Sequence, residues 1–276
     1  PFGSGIWSAL KAKEYITEIA QEPEIQTWQQ QLVDKPIVNK ADRLTLNKQQ
    51  ALVFSQLKFT QGFTAWLLDG VTGSGKTEIY LQFIEEILNQ GKQVLVLVPE
   101  IGLTPQTVSR FQARFNVVID VLHSNLNDTQ RLQVWQRARS GQSAVIIGTR
   151  SALFTQFADL GAIIIDEEHD ASFKQQDGWR YHARDLAVVY AKQLNIPILM
   201  GSATPCLESL NNVQQGKYQR LCLSEKANQS TALQQHVIDL KYQSMRNGLS
   251  EILIKRMQAH LEKGNQVLLF LNRRGF

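Results

Sequence analysis

At 276 residues, with 43% apolar and 20% charged side chains, the composition is that of a folded globular chain of one large or two modest domains; a disordered or fibrous protein is excluded. No apolar run approaches the roughly 20 residues needed to span a bilayer, so no membrane partner is expected. The net charge of +4 is uneven: residues 217–276 carry ten Lys/Arg against four Asp/Glu, a net of +6, and the other 216 residues stand at −2. A basic tail suits nucleic-acid phosphates, and it equally suits a solvated, lysine-rich face.

The chain opens on Pro1-Phe-Gly-Ser-Gly5, without an initiator methionine or signal peptide, as expected of a piece cut from a longer protein. Residues 1–43 are predicted to hold helices over 11–20 and 24–32 and a polar link over 34–42, and to belong to a preceding domain or linker. From residue 65 the pattern changes to apolar runs at 65–68, 93–98, 117–122, 144–147, 162–165 and 196–200. These runs do not alternate, as expected of parallel strands buried on both faces. Helical spacing separates them at 78–90, 104–115, 128–140 and 184–193. The alternation predicts a doubly wound α/β domain with a parallel sheet, whose ligands gather beyond the carboxyl ends of the strands. Farther on, a strand-like 237–239, a helical 250–263 and a strand-like 266–271 begin a second unit too short to bury a core. Cys206 and Cys222 have no His or Cys partners at metal spacing; free thiols are expected, with a disulfide as the alternative.

Gly70-Val-Thr-Gly-Ser-Gly-Lys-Thr77 follows the first apolar run and precedes a helix. It fits the phosphate-cradling loop G-x-x-x-x-G-K-[ST] in its required context. Gly70, Gly73 and Gly75 let the backbone turn its N–H groups inward beside Thr72 and Ser74; Lys76 reaches the terminal phosphates, and the Thr77 hydroxyl suits Mg²⁺. The chain is expected to bind a nucleoside triphosphate there. Asp166-Glu-Glu-His169 follows the run at 162–165. Asp166 at a strand end can hold Mg²⁺, and Glu167 can polarise the attacking water. Gly201-Ser-Ala-Thr-Pro205 lies beyond the last run; its small hydroxyl residues can bridge the site to a second domain, where a plain turn is the simpler reading. Residues 173–182 interleave Phe173, Trp179 and Tyr181 with Lys174, Arg180 and His182, which suits stacking on exposed bases.

The loop at 70–77, the acids at 166–169 and Ser202-Ala-Thr204, in that order, resemble the superfamily 2 helicases of the DExH type. Val98-Pro-Glu-Ile-Gly-Leu-Thr-Pro-Gln106, Gly148-Thr-Arg-Ser-Ala-Leu-Phe154, Gly178-Trp-Arg-Tyr-His-Ala-Arg-Asp185 and Phe270-Leu-Asn-Arg-Arg-Gly-Phe276 are similar, within them, to the bacterial replication-restart helicases. The resemblance implies a RecA-like P-loop NTPase lobe at 44–225, preceded by the tail of a winged-helix-like region at 1–43 and followed by the start of a second RecA-like lobe at 226–276. It implies a DNA-stimulated ATPase and 3′–5′ helicase acting on forked DNA in primosome assembly, monomeric and in the bacterial cytoplasm. ATP and Mg²⁺ are the implied cofactors, and single-stranded and forked DNA, replication-restart proteins and single-strand-binding proteins the implied partners. Zn²⁺ and the arginine of the second lobe belong to parts of such enzymes that these residues do not contain, so the piece alone is expected to hydrolyse ATP weakly.

The same resemblance implies that Gln50 reads adenine, beside the plain reading of an exposed helix glutamine. It implies that Thr104, Thr149, Arg150 and Ser151 grip one DNA strand, although Arg150 alone reads as a surface arginine. Lys174, Trp179, Arg180 and Tyr181 would carry the base-stacking loop, and His169, Ser202 and Thr204 would couple DNA binding to hydrolysis. Two rivals stand beside this reading: a double-stranded DNA translocase without strand separation, and an ATP-gated module that recognises branched DNA.

Overall fold

The computed structural model describes residues 4–13, 15, 25–32, 34–39, 43–57, 62–227 and 234–270. They divide into two units, Pro1–Gln229 and Ser230–Phe276. In the first, three helices, α1 (Ser4–Ala12), α2 (Trp28–Gln31) and α3 (Lys48–Gln56), precede the alternating part. That part runs β1 (Ala65–Gly70), α4 (Lys76–Asn89), β2 (Gln93–Leu97), α5 (Pro105–Arg114), β3 (Ile119–Leu122), α6 (Asp128–Arg139), β4 (Val145–Gly148) and β5 (Leu160–Ile165). A small hairpin follows, β6 (Lys174–Gln175) and β7 (Tyr181–His182), then α7 (Ala183–Gln193), β8 (Ile198–Ser202), α8 (Leu207–Gln214) and β9 (Gln219–Leu223).

Seven strands form one sheet in the order β3-β4-β2-β5-β8-β1-β9, and every pairing in it is parallel. The unbroken Val/Ile/Leu runs follow from burial on both faces. Alternate residues divide between two cores: Trp66, Leu68, Val94, Val96 and Ile164 pack with α4 and α5 on one side. Leu67, Leu95, Leu97, Ile163 and Ile165 pack with α6 and α7 on the other. The result is a three-layer α/β/α architecture in which all strand carboxyl ends share one edge, the RecA-like P-loop arrangement expected from the alternation.

Local sequence explains the helix ends. Asn47 and Asn127 open α3 and α6 with capping boxes that use Gln50 and Gln130, and Thr104 caps α5 just before Pro105. Gly91, at φ 78, ends α4 in the left-handed conformation that favours glycine.

At three points the structure adds to the sequence reading or does not describe what it expected. The sheet has a seventh strand, β9, which the search for continuous apolar runs overlooks because its residues alternate in burial, as an edge strand does. The boundary at residue 43 does not coincide with a break in packing: Trp28 and Val38 are buried in the same core as α4, and Val38 bridges to Phe115. Two large apolar side chains in that core bind the segment to the sheet. Of the helix expected at 11–20, the structure describes only the α1 end, and of 24–32 only α2 is helical among the described residues.

In the second unit the described residues form a two-residue hairpin, β10 (Met245–Arg246) with β11 (Leu249–Ser250), and α9 (Glu251–Glu262), capped by Ser250. Residues 237–239 and 266–270 are not strands, since neither segment has a hydrogen-bonded neighbour strand among the described residues. Leu271 and Asn272-Arg-Arg-Gly-Phe276 lie outside the described residues.

Candidate functional site

β1 delivers the chain to Gly70, and α4 begins at Lys76, so 70–77 forms a tight loop at the amino end of a 14-residue helix. Gly73 and Gly75 have φ of 81 and 84, conformations that side chains resist. Lys76 is buried, and its Nζ donates to the Gly70 carbonyl at 2.8 Å, folding the side chain back across the loop. Ser74 Oγ is buried with no hydrogen-bond partner among the described residues. The loop is braced from outside by the end of β9 and the residues after it: Val71 N–H donates to Leu223 O at 3.0 Å, and Ala227 N–H to Gly73 O at 2.8 Å.

Gln50 is not the exposed helix glutamine of the plainer reading; it lies against the loop at 70–77. It is 5% exposed, its Oε1 accepts from Asn47 N–H at 2.9 Å, and its Nε2 donates to Ser74 O at 2.9 Å. One end of the amide thus serves the cap of α3 and the other the loop at 70–77, and each keeps one further hydrogen-bonding position. A Cβ at Gly75 would overlap this same amide.

Asp166 follows β5 and faces the loop. With Glu167, Lys76, Thr77, Thr72 and Arg110 it lines an open cleft of about 770 Å³. Its Oδ1 accepts from the Tyr80 hydroxyl and from Glu167 N–H, each at 3.0 Å. Burial, and then the neighbouring Glu167 carboxylate, push the Asp166 carboxyl above the ordinary range, against the Tyr80 hydrogen bond and the Lys76 charge. Burial, with Asp166 as a second cause, pushes the Tyr80 phenol well above its ordinary value, so it stays a donor. Glu167 has φ 48, a left-handed backbone for a non-glycine residue, which marks local strain at this turn. An unpartnered buried hydroxyl, a loop with no room for a Cβ at Gly70 or Gly75 and a carboxyl destabilised as an anion all fit a polyanion with a divalent cation.

The three residues expected to couple DNA binding to hydrolysis lie together. His169 Nδ1 lies 2.7 Å from Ser202 Oγ and 3.6 Å from Glu167 Oε2, and Thr204 N–H donates to Ser202 Oγ at 2.9 Å. Glu168, between these residues, was singled out by no sequence pattern. Its side chain is 0% exposed; it accepts from Arg184 Nη1 at 3.1 Å, Cys206 N–H at 2.9 Å and Ser209 Oγ at 2.9 Å. One carboxylate thus ties the end of β5 to the starts of α7 and α8. Only the order of buried and open acids distinguishes it from its neighbours, and that order is invisible in three consecutive carboxylates.

On the same edge, Thr149, Arg150, Ser151, Trp179 and Tyr181 line a shallow cleft of about 360 Å³. Trp179 is 93% exposed, whereas Phe173 is fully buried, so the aromatic segment divides between solvent and core. Tyr181 packs edge-on against Phe154 with ring centroids 5.3 Å apart. Lys174 and Arg180 line a second hollow with His182. Arg150 is not a free surface cation: its Nη1 donates to the carbonyls of Ser172 at 3.0 Å and Lys174 at 3.3 Å, bracing the hairpin base against the turn after β4. Thr104 stands outside this cleft, its hydroxyl accepting from Thr107 N–H as the α5 cap. Among the described residues, no helix is long and apolar enough to cross a membrane, and no His/Cys/Asp/Glu group of three or more could hold a metal ion.

Comparison with known proteins agrees with this geometry. Replication restart protein PriA of Haemophilus influenzae is 74% identical over 275 residues, covering 100% of this chain and 38% of that protein. Replication restart protein PriA of Bacillus subtilis is 41% identical over 244 residues, covering 86% of this chain and 30% of that protein. The chain thus spans about a third of the length of these curated relatives. RecG, solved bound to a three-way DNA junction, shares the fold over 68% of this chain and 25% of its own, with a TM-score of 0.51 at 23% identity. Residues 47–213, more than half of the chain, match the DEAD/DEAH box helicase family, and the chain belongs to that family.

Proposed function

We propose that this chain carries the ATP-hydrolysing lobe of a DNA-stimulated helicase that moves 3′ to 5′ on forked DNA and serves replication restart and primosome assembly. The observation that carries this reading is the shared sheet edge. The phosphate loop, Asp166 and Glu167 stand at one part of it, and the strand-facing cleft of Thr149, Ser151, Trp179 and Tyr181 at another. The 74% identity to replication restart protein PriA of Haemophilus influenzae, over 275 residues, supports the biological setting.

In this reading the amino end of α4 and the loop N–H groups cradle the phosphates, and Lys76 moves from Gly70 O to the terminal phosphate oxygens. Thr77 and Asp166 would hold Mg²⁺, which neutralises charge on the β- and γ-phosphates. Glu167 orients the attacking water and takes up its proton. Bases of a single strand stack on Trp179, phosphates meet Thr149 and Ser151, and Lys174 and Arg180 lend charge. Arg150 transmits the hairpin's position to the turn after β4, and His169 with Ser202 and Thr204 relays the state of Glu167 toward β8.

The test is ATP hydrolysis by the full-length protein with and without forked DNA, combined with unwinding of forks that offer only a 3′ or only a 5′ single-stranded arm. Strong stimulation and unwinding confined to the 3′ arm is the expected result. Hydrolysis indifferent to DNA would instead favour an ATP-gated binding module, and stimulation without strand separation a duplex translocase.

A further inference from the structure

In the sheet, β8 lies between β1 and β5. The phosphate loop after β1 and the carboxylate after β5 are therefore not neighbours, and a connection between them has to cross the end of β8. Tyr80 makes it. Tyr80 stands three residues beyond Thr77 and four beyond Lys76 on α4, so all three share a helix face. Its ring is 2% exposed, and its hydroxyl donates to Asp166 Oδ1 at 3.0 Å.

The crossing needs a gap in β8. A Cβ built on Gly201 would overlap the Tyr80 hydroxyl oxygen and lie 2.7 Å from Cζ, so any side chain at 201 would expel the phenol. The main chain of Gly201 is engaged as well, its carbonyl accepting Glu168 N–H at 2.9 Å. Gly201 has an ordinary backbone conformation, not a positive φ, so close approach is the reason for glycine here.

The two hydrogen bonds to Asp166, from Tyr80 and from Glu167 N–H, fall on the same oxygen. Oδ2 has no hydrogen-bond partner among the described residues. A carboxylate has a broad, two-fold preference about its last bond, so two donors on Oδ1 supply the orientation that the torsion does not. We infer that Tyr80 is a positioning residue for hydrolysis: it locks Asp166 with Oδ2 turned to the Mg²⁺ of a bound nucleotide, and Gly201 is kept bare to let its hydroxyl through. The inference rests on reading 70–77 as the nucleotide site. The simpler account is a core tyrosine whose hydroxyl takes the nearest acceptor; under that account, losing the hydroxyl leaves Mg²⁺ dependence untouched.

The experiment compares the wild-type full chain with Tyr80→Phe, which keeps the ring and removes only the donor. The readout is binding of a fluorescent ATP analogue as Mg²⁺ is titrated, with binding in EDTA as the reference. The expected result is unchanged affinity in EDTA and a Mg²⁺ midpoint raised about tenfold, as for loss of a hydrogen bond to a charged group. Gly201→Ala, which displaces the hydroxyl without touching the ring's chemistry, should raise the midpoint in the same direction. An unchanged midpoint in Tyr80→Phe, with wild type binding normally, overturns the inference alone. A wild-type chain that binds no nucleotide overturns the nucleotide site and this inference together.

Discussion

The phosphate loop and the hairpin at 174–182 stand on the same edge of one sheet but are held by opposite means. The loop is enclosed: Lys76 and Ser74 are buried, Gln50 pins Ser74 O, and the end of β9 with the residues after it pins Val71 and Gly73. The hairpin has only two ladder pairs and projects Trp179 into solvent, with Arg150 as its brace. Phosphate chemistry gains from donors that are fixed before the substrate arrives. A surface that must follow a moving strand gains from exposed rings and few constraints, because stacking tolerates any base. Under the proposed function, rigidity on this edge is placed where charge would develop and withheld where the polymer would slide.

This contrast can be broken most directly at Lys76. Lys76→Ala should weaken ATP binding by about 100-fold or more, because a buried ammonium on the phosphates is a strong charge-assisted contact; equilibrium binding with a fluorescent nucleotide measures it, and near-normal affinity would remove the loop from the chemistry. Next in size is the rigid side's foundation. Glu168→Ala should lower stability by about 3 kcal/mol, since it leaves the buried Arg184 with only the exposed Asp185 carboxylate and releases Ser209 of α8. Urea unfolding checks this, and a loss under about 1 kcal/mol would show that the carboxylate does not tie these elements together.

On the loose side the effects are smaller. Trp179→Ala should weaken single-stranded DNA binding by about 1–3 kcal/mol and leave the unfolding midpoint unmoved, as anisotropy and urea titration would show together. A drop in stability would mean that the ring has a structural role despite its exposure. The smallest effect concerns pH at the hairpin's root. Burial first, then Arg184, hold the His182 imidazole below its ordinary value. The folded state therefore prefers the neutral ring, and this contribution is present above the unfolded pKa and lost as pH falls through the lower folded one. His182→Asn should flatten the acid-side fall in melting temperature slightly; an identical profile would place the acid sensitivity in another group.

Sequence alone was enough for whatever rests on local pattern. Strand runs between helical stretches identified six of the sheet's seven strands, and the spacing at 70–77 and 166–169 located the loop and acids that the structure brings to one cleft. Period and motif are written in consecutive residues, so they can be read without a fold. Tertiary structure alone decided which similar residues do which work. Among Asp166, Glu167 and Glu168, one faces the cleft under a tyrosine, one turns on a left-handed backbone, and one is sealed among Arg184, Cys206 and Ser209. Phe173 and Trp179 differ by complete burial, and Gln50 and Arg150 spend their polar atoms on the loop and the hairpin. The contacts of Asp166 and Glu168 reach partners 16 to 86 positions away in the chain, as Arg184 is from Glu168 and Tyr80 from Asp166. Burial and hydrogen-bond partnership are properties of such distant pairs, and no local pattern encodes them.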